Sequence, residues 1–122
     1  MTLDGARVVR ITDSSGDIVA RSLAADVEIN DSSGDIRVED AAGAVRVDDS
    51  SGDIVIRGAK SVHIPRDSSG DMSVERIAGD VIIDQDSSGD INVADVGGNV
   101  ELRADGSGQV RVSGVQGTVR LP

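Results

Sequence analysis

The sequence predicts an all-β protein, a right-handed parallel β-solenoid (β-helix) of about six coils of 18–19 residues, occupying residues 1–122 as a single domain. Three observations carry that expectation. A cassette, DSSGD, recurs at 13–17, 31–35, 49–53, 67–71 and 86–90, with a degenerate copy, DGSGQ, at 105–109. The steps between cassettes are 18, 18, 18, 19 and 19 residues, and a fixed period of this size marks a repeat architecture. Between cassettes, apolar and polar residues alternate in two short runs, the period-two signature of strands with one buried face.

The second repeat shows the elements in order. The cassette Asp31 to Asp35 reads as a tight turn, its Gly34 supplying the positive φ that such a turn requires. Ile36-Arg37-Val38-Glu39 reads as a first strand with Ile36 and Val38 facing inward. The small residues Asp40-Ala41-Ala42-Gly43-Ala44 make a corner, and Val45-Arg46-Val47-Asp48 returns as a second strand with Val45 and Val47 inward. The same inward pairs recur along the chain, from Ile18/Ala20 to Val110/Val112 in first strands and from Val9/Ile11 to Val119/Leu121 in second strands. One further residue per corner joins them: Leu23, Ala41, Ala59, Ile77, Val96 and Val115.

About five buried side chains cannot offset the entropy of ordering a whole repeat, so no repeat folds alone. Stacking repeats buries both faces of the core and pairs each strand with its counterparts before and after. A stack of hairpins would throw successive cassettes to opposite ends of the molecule. The outward charges favour parallel stacking instead. Arg21, Glu39, Arg57 and Glu75 alternate in sign from repeat to repeat, as do Arg10, Glu28 and Arg46. In-register strands about 4.8 Å apart bring those opposite charges together. The triangular left-handed helix of hexapeptides is excluded, because stepping by six from Ile36 meets Ala42, Asp48, Ile54, Lys60 and Arg66 rather than aliphatics. Two facing sheets or an irregular triangle remain, with right-handed winding expected of parallel crossovers. The third coil has a corner one residue shorter than the others, and Pro65, which lacks an N–H, marks a bulge in its second strand.

Composition removes whole classes of function. Phe, Trp, Tyr and Cys are all absent, which removes aromatic stacking platforms, disulfides, zinc–thiolate sites and thiol catalysis. A net charge of −10 repels a phosphate backbone, so no nucleic-acid partner is expected, and a DNA-mimicking acidic rod is the least favoured reading because its charge step fits phosphate spacing poorly. No run approaches the ~18 apolar residues of a membrane span, and MTLDGARVVRIT lacks the apolar stretch of a signal peptide, so no membrane insertion is expected. Outward threonines, which an ice-binding face would need in ladders, number only three.

Function beyond structure would lie in the cassette. Five full cassettes hold ten of the 22 acidic residues, and the other 12 balance the 12 basic ones, so the excess of −10 lies along one edge. Stacked carboxylates about 4.8 Å apart repel by ~1 kcal/mol per neighbouring pair in water. In the first reading, backbone and serine hydrogen bonds hold the leading Asp column while the trailing column points into water. In the alternative, calcium lodges between coils on Asp13, Asp17, Asp31, Asp35, Asp49, Asp53, Asp67, Asp71, Asp86 and Asp90, since hard cations want clustered oxygens. The calcium β-roll has coils of similar size, but its glycine-rich nonapeptide fits DSSGD poorly. Enzyme readings find no support: the single histidine, His63, is an outward strand residue, the cassette glycines precede no helix, and repeated acids form no unique cleft.

The phrases ITDSSGDIVA, INDSSGDIRVED, VDDSSGDIVIRG and DQDSSGDINVADVGGNV resemble the bacterial adhesin-like β-strand repeat family, which is related to auto-transporter adhesin head domains. The resemblance covers about residues 8 to 121. It implies a right-handed β-helical, non-catalytic module of a cell-envelope or secreted protein, and it carries over no site residues. The near-identical cassettes also admit an excised fragment or an engineered repeat scaffold, while the drift over 60–67 points to natural origin. A coil entered near Ala6 and a strand ending at Pro122 would leave uncovered strand edges, from which end-to-end self-association is expected.

Overall fold

A computed structural model describes residues 2–4, 9–13, 16–23, 26–31, 34–49, 52–67, 70–84, 89–103 and 108–120. The alternating apolar pattern folds as strands throughout, and no helix occurs among the described residues. One seven-stranded sheet holds the first strands of successive coils in the order β1 (Thr2–Asp4), β3 (Ile18–Leu23), β5 (Ile36–Ala41), β7 (Ile54–Ala59), β9 (Met72–Ile77), β11 (Ile91–Val96) and β13 (Val110–Val115). A second seven-stranded sheet holds β2 (Val9–Asp13), β4 (Val27–Asp31), β6 (Ala44–Asp49), β8 (Ser61–Asp67), β10 (Val81–Ile83), β12 (Val100–Leu102) and β14 (Val119–Arg120). Every pairing is parallel, between strands of successive coils, so the chain is a β-solenoid of two sheets and not a stack of hairpins.

The core lies between the sheets. Ile18, Ile36, Ile54, Met72 and Ile91 form one inward column of the first sheet, and Val27, Val45, Val62, Val81 and Val100 one inward column of the second, all at most 2 % exposed. The expected corner residues Ala41, Ala59, Ile77 and Val96 are also buried. Burial weakens at the last coil: Val110, Val112 and Val115 are half-buried, and Val119 is 40 % exposed. The side chains of Val9, Leu23 and Leu121 lie outside the described residues.

Register follows charge as expected. Arg21 pairs with Glu39, Glu39 with Arg57 and Arg57 with Glu75 across β3, β5, β7 and β9. Arg21 Nε lies 3.7 Å from Glu39, and Arg57 Nε 4.0 Å from Glu75. The closest ion pair of this face runs along one strand, Arg37 Nε to Glu39 Oε1 at 2.6 Å. These pairs are at the partly exposed outer face and each is worth a fraction of a kcal/mol, enough to favour register but not to hold the fold.

Two local features depart from a uniform rod. Between β6 and β8, Arg46 pairs with His63 but Asp48 with Arg66, so one extra residue is inserted around Pro65, the expected bulge. The chain also joins the stack earlier than expected. β1, at Thr2–Asp4, pairs with β3 before Ala6, a strand that sequence misses because it spans three residues and follows no cassette.

Candidate functional site

Each cassette glycine turns the chain with a left-handed backbone, φ +97° to +107° from Gly16 to Gly108. The following residue, the trailing aspartate, is thereby set at the edge of the stack, facing the coil that follows. Two hydrogen bonds tie each such residue to the preceding coil. Ile18 N–H donates to the Asp35 carbonyl at 2.8 Å, and Asp35 N–H donates to Asp17 Oδ1 at 3.1 Å. The second bond repeats from Asp53 to Asp35 (3.0 Å), Asp71 to Asp53 (3.0 Å), Asp90 to Asp71 (2.9 Å) and Gln109 to Asp90 (3.0 Å).

The trailing column is exposed to water, as expected, but Oδ1 of Asp17, Asp35, Asp53, Asp71 and Asp90 is taken by the coil that follows. The carboxylates point along the rod, because a parallel stack presents an unclaimed corner N–H one coil away. The same geometry answers the repulsion between them: an amide dipole, positive end first, stands at each carboxylate, a charge-assisted bond stronger than a neutral one. The leading column is different. Asp13, Asp31, Asp49 and Asp67 close their strands and pair with one another in register, but their side chains, all of Asp86 and all the cassette serines lie outside the described residues.

A second ladder runs down the opposite edge, unforeseen from sequence. Ala44 N–H donates to Asp26 Oδ1 (2.9 Å), Asn99 N–H to Asp80 Oδ1 (2.9 Å) and Thr118 N–H to Asn99 Oδ1 (2.8 Å). Val81 N–H and Val100 N–H complete the two-bond pattern on the carbonyls of Asn99 and Thr118. The column reads Asp26, Ala44, Ser61, Asp80, Asn99, Thr118, so no constant residue announces it. Just before this edge, the fifth residue of the first strand adopts positive φ in Ser22, Asp40, Gly58, Arg76, Asp95 and Gly114 alike. Four of the six carry side chains that disfavour that conformation by ~1–2 kcal/mol each, a strain repaid by continuing the strand around the corner.

His63 is more than an isolated outward residue. Its Nε2 and Asp84 Oδ2 are 2.8 Å apart, a hydrogen bond that fixes the proton-bearing nitrogen as Nε2 when the ring is neutral. Arg103 Nη1 stands 3.2 Å from Asp84 Oδ1, close enough to pair though not aligned as a hydrogen bond, and Arg103 Nε reaches Glu101 Oε1 at 3.3 Å. Arg46 and Ile82 flank His63 on the neighbouring strands. No serine, threonine or lysine among the described residues joins this network. Among the described residues no group of three or more His, Cys, Asp or Glu is arranged to hold a metal ion. No family model, curated protein or solved structure matches the chain.

Proposed function

We propose that the chain is a non-catalytic structural or adhesive module, a rigid rod of a cell-envelope or secreted bacterial protein of the adhesin-like repeat kind. The observation that supports this reading is the use made of the most distinctive side chains. The trailing aspartates spend Oδ1 on the backbone of the next coil, so the recurrent chemistry of the cassette is invested in holding coil to coil. The last coil, with Val110, Val112 and Val115 half-buried on the outer strands, supports end-to-end association with a second copy.

The reading is tested by fractionating cells that make the tagged full-length protein and probing intact cells with protease. Surface or secreted material is expected, and a strictly cytosolic protein overturns the assignment. The calcium reading makes its own forecast. If cations between coils hold the acidic edge together, millimolar calcium raises the melting temperature by several degrees, whereas a ladder already satisfied by amides melts at the same temperature with calcium or with chelator.

A further inference from the structure

The repeat is broken at one corner. Nine positions separate Ile36 from Val45 and Met72 from Val81, but eight separate Ile54 from Val62. Val62 nevertheless stays in register with Val45 and Val81, so the shortened chain cuts across the corner instead of sliding its strand. The cut leaves a shallow hollow of about 390 Å³ lined by Asp40, Ala42, Gly58, Lys60, Arg76 and Ala78. Its apolar lining is glycine and alanine, and it lies between the longer corners of the coils on either side. Lys60, the single lysine of the chain, and Arg76 stand exposed at its rim. Neither has an ion-pair partner among the described residues, whereas Arg21, Arg37, Arg57 and Arg103 are all paired.

Two free cations against one carboxylate, around an apolar floor, select a ligand that joins negative charge to a small aliphatic group. The hollow is open on one side. A free small molecule would leave much of its surface in water, where good small-molecule sites bury ~70–90 % of the ligand. An extended segment covers the opening with its own backbone. The cassette columns, which hold the excess of −10, lie across the sandwich from this corner, and although Asp40 lines the hollow and Asp80 and Asp95 share its edge, the groups at its rim left unpaired among the described residues are the cations Lys60 and Arg76.

We propose that this hollow is the docking site for an acidic segment of a partner protein, a carboxylate held between Lys60 and Arg76 and a small aliphatic side chain resting over Ala42, Gly58 and Ala78. The inference goes beyond the rod reading, since a spacer needs no such site. It is tested by titrating the isotope-labelled 122-residue chain with an acetylated, amidated peptide of alternating glutamate and valine, read by amide chemical shifts. Shifts confined to residues 40–42, 58–60 and 76–78 are expected, with no response to the matching lysine–valine peptide. Reversing both cations, Lys60→Glu with Arg76→Glu, should weaken binding by at least about tenfold, the usual scale for close charge pairs across an interface. Ala78→Glu, an independent exposed substitution, should do likewise while leaving the circular dichroism spectrum unchanged. Absent shifts at millimolar peptide, shifts spread along the cassettes, equal binding of the lysine peptide, or undiminished affinity in a folded variant would each overturn it.

Discussion

Gly52→Ala measures how closely the coils stack. Gly52 sits at φ +103°, and a Cβ added there would be driven into the backbone of the coil beneath, against the carbonyl oxygen of Gly34 with its carbonyl carbon at 2.6 Å. The left-handed backbone alone costs an L-residue about 1–3 kcal/mol. The clash is with peptide atoms of the preceding coil and not with a flexible side chain, so relief requires prying two coils apart. Alanine recovers only about 0.4–1 kcal/mol by stiffening the unfolded chain. The net loss is about 3 kcal/mol, which at roughly 4 °C per kcal/mol for a domain of this size lowers the melting temperature by about 12 °C. Gly58→Ala is the internal comparison. Its φ is +77°, but the nearest atom is Asp40 Oδ1 at 3.2 Å, a side-chain atom free to rotate, so the loss there is limited to about 1 kcal/mol. Far-ultraviolet circular dichroism melts of both variants decide the matter. A Gly52→Ala protein melting with the wild type, or with Gly58→Ala, would show that the glycine column is not in contact from coil to coil.

Three further outcomes are expected. Asp53→Asn keeps an oxygen for the Asp71 N–H and trades the charge-assisted bond for relief of repulsion, so it should melt near the wild type, while Asp53→Ala loses about 1 kcal/mol; equal losses in both would mean that the acceptor oxygen alone does not hold the edge. In a double-mutant cycle, His63→Ala and Arg103→Ala should be non-additive because both act through Asp84, with coupling of about 0.5–1 kcal/mol given their exposure; strict additivity in denaturant melts would dissolve the network. X-ray scattering at millimolar protein should show particles longer than one rod, returning to single length in Val119→Lys, whose charge enters the exposed outer edge; a wild type of single length at every concentration would refute end-on association.

Much of the fold was legible because the repeat converts sequence distance into spatial columns. Ile36, Ile54 and Met72 are eighteen residues apart and stack in register, so inward and outward faces and the Pro65 bulge could be placed, while two facing sheets and an irregular triangle stayed open until the structure showed two sheets. What periodicity leaves open is the direction in which a column's side chains turn. Asp35 and Asp53 were rightly stacked, yet only the structure shows Oδ1 of one receiving the amide of the other. Asp26, Asp80 and Asn99 escaped notice because the second ladder needs an acceptor oxygen and not a particular residue. The short corner at Gly58 was visible as a missing residue, but whether a deletion slides a strand or dents a surface is decided by packing, here by Val62 holding its place in the core.

The bonds of the cassette edge run only between immediate neighbours, each trailing aspartate from Asp35 to Asp90 giving its N–H to the coil before it and offering Oδ1 to the coil after it. No closure condition links the first turn to the last, in contrast to a barrel, whose strand number and tilt must agree all round the ring. Rod length is therefore a free variable. Loss of one winding would set like charges such as Arg21 and Arg57 side by side, whereas adding or losing two keeps both the core columns and the alternation of charge, so a lineage carrying this module can tune reach in steps of about 9.6 Å, two strand spacings, without redesigning its core.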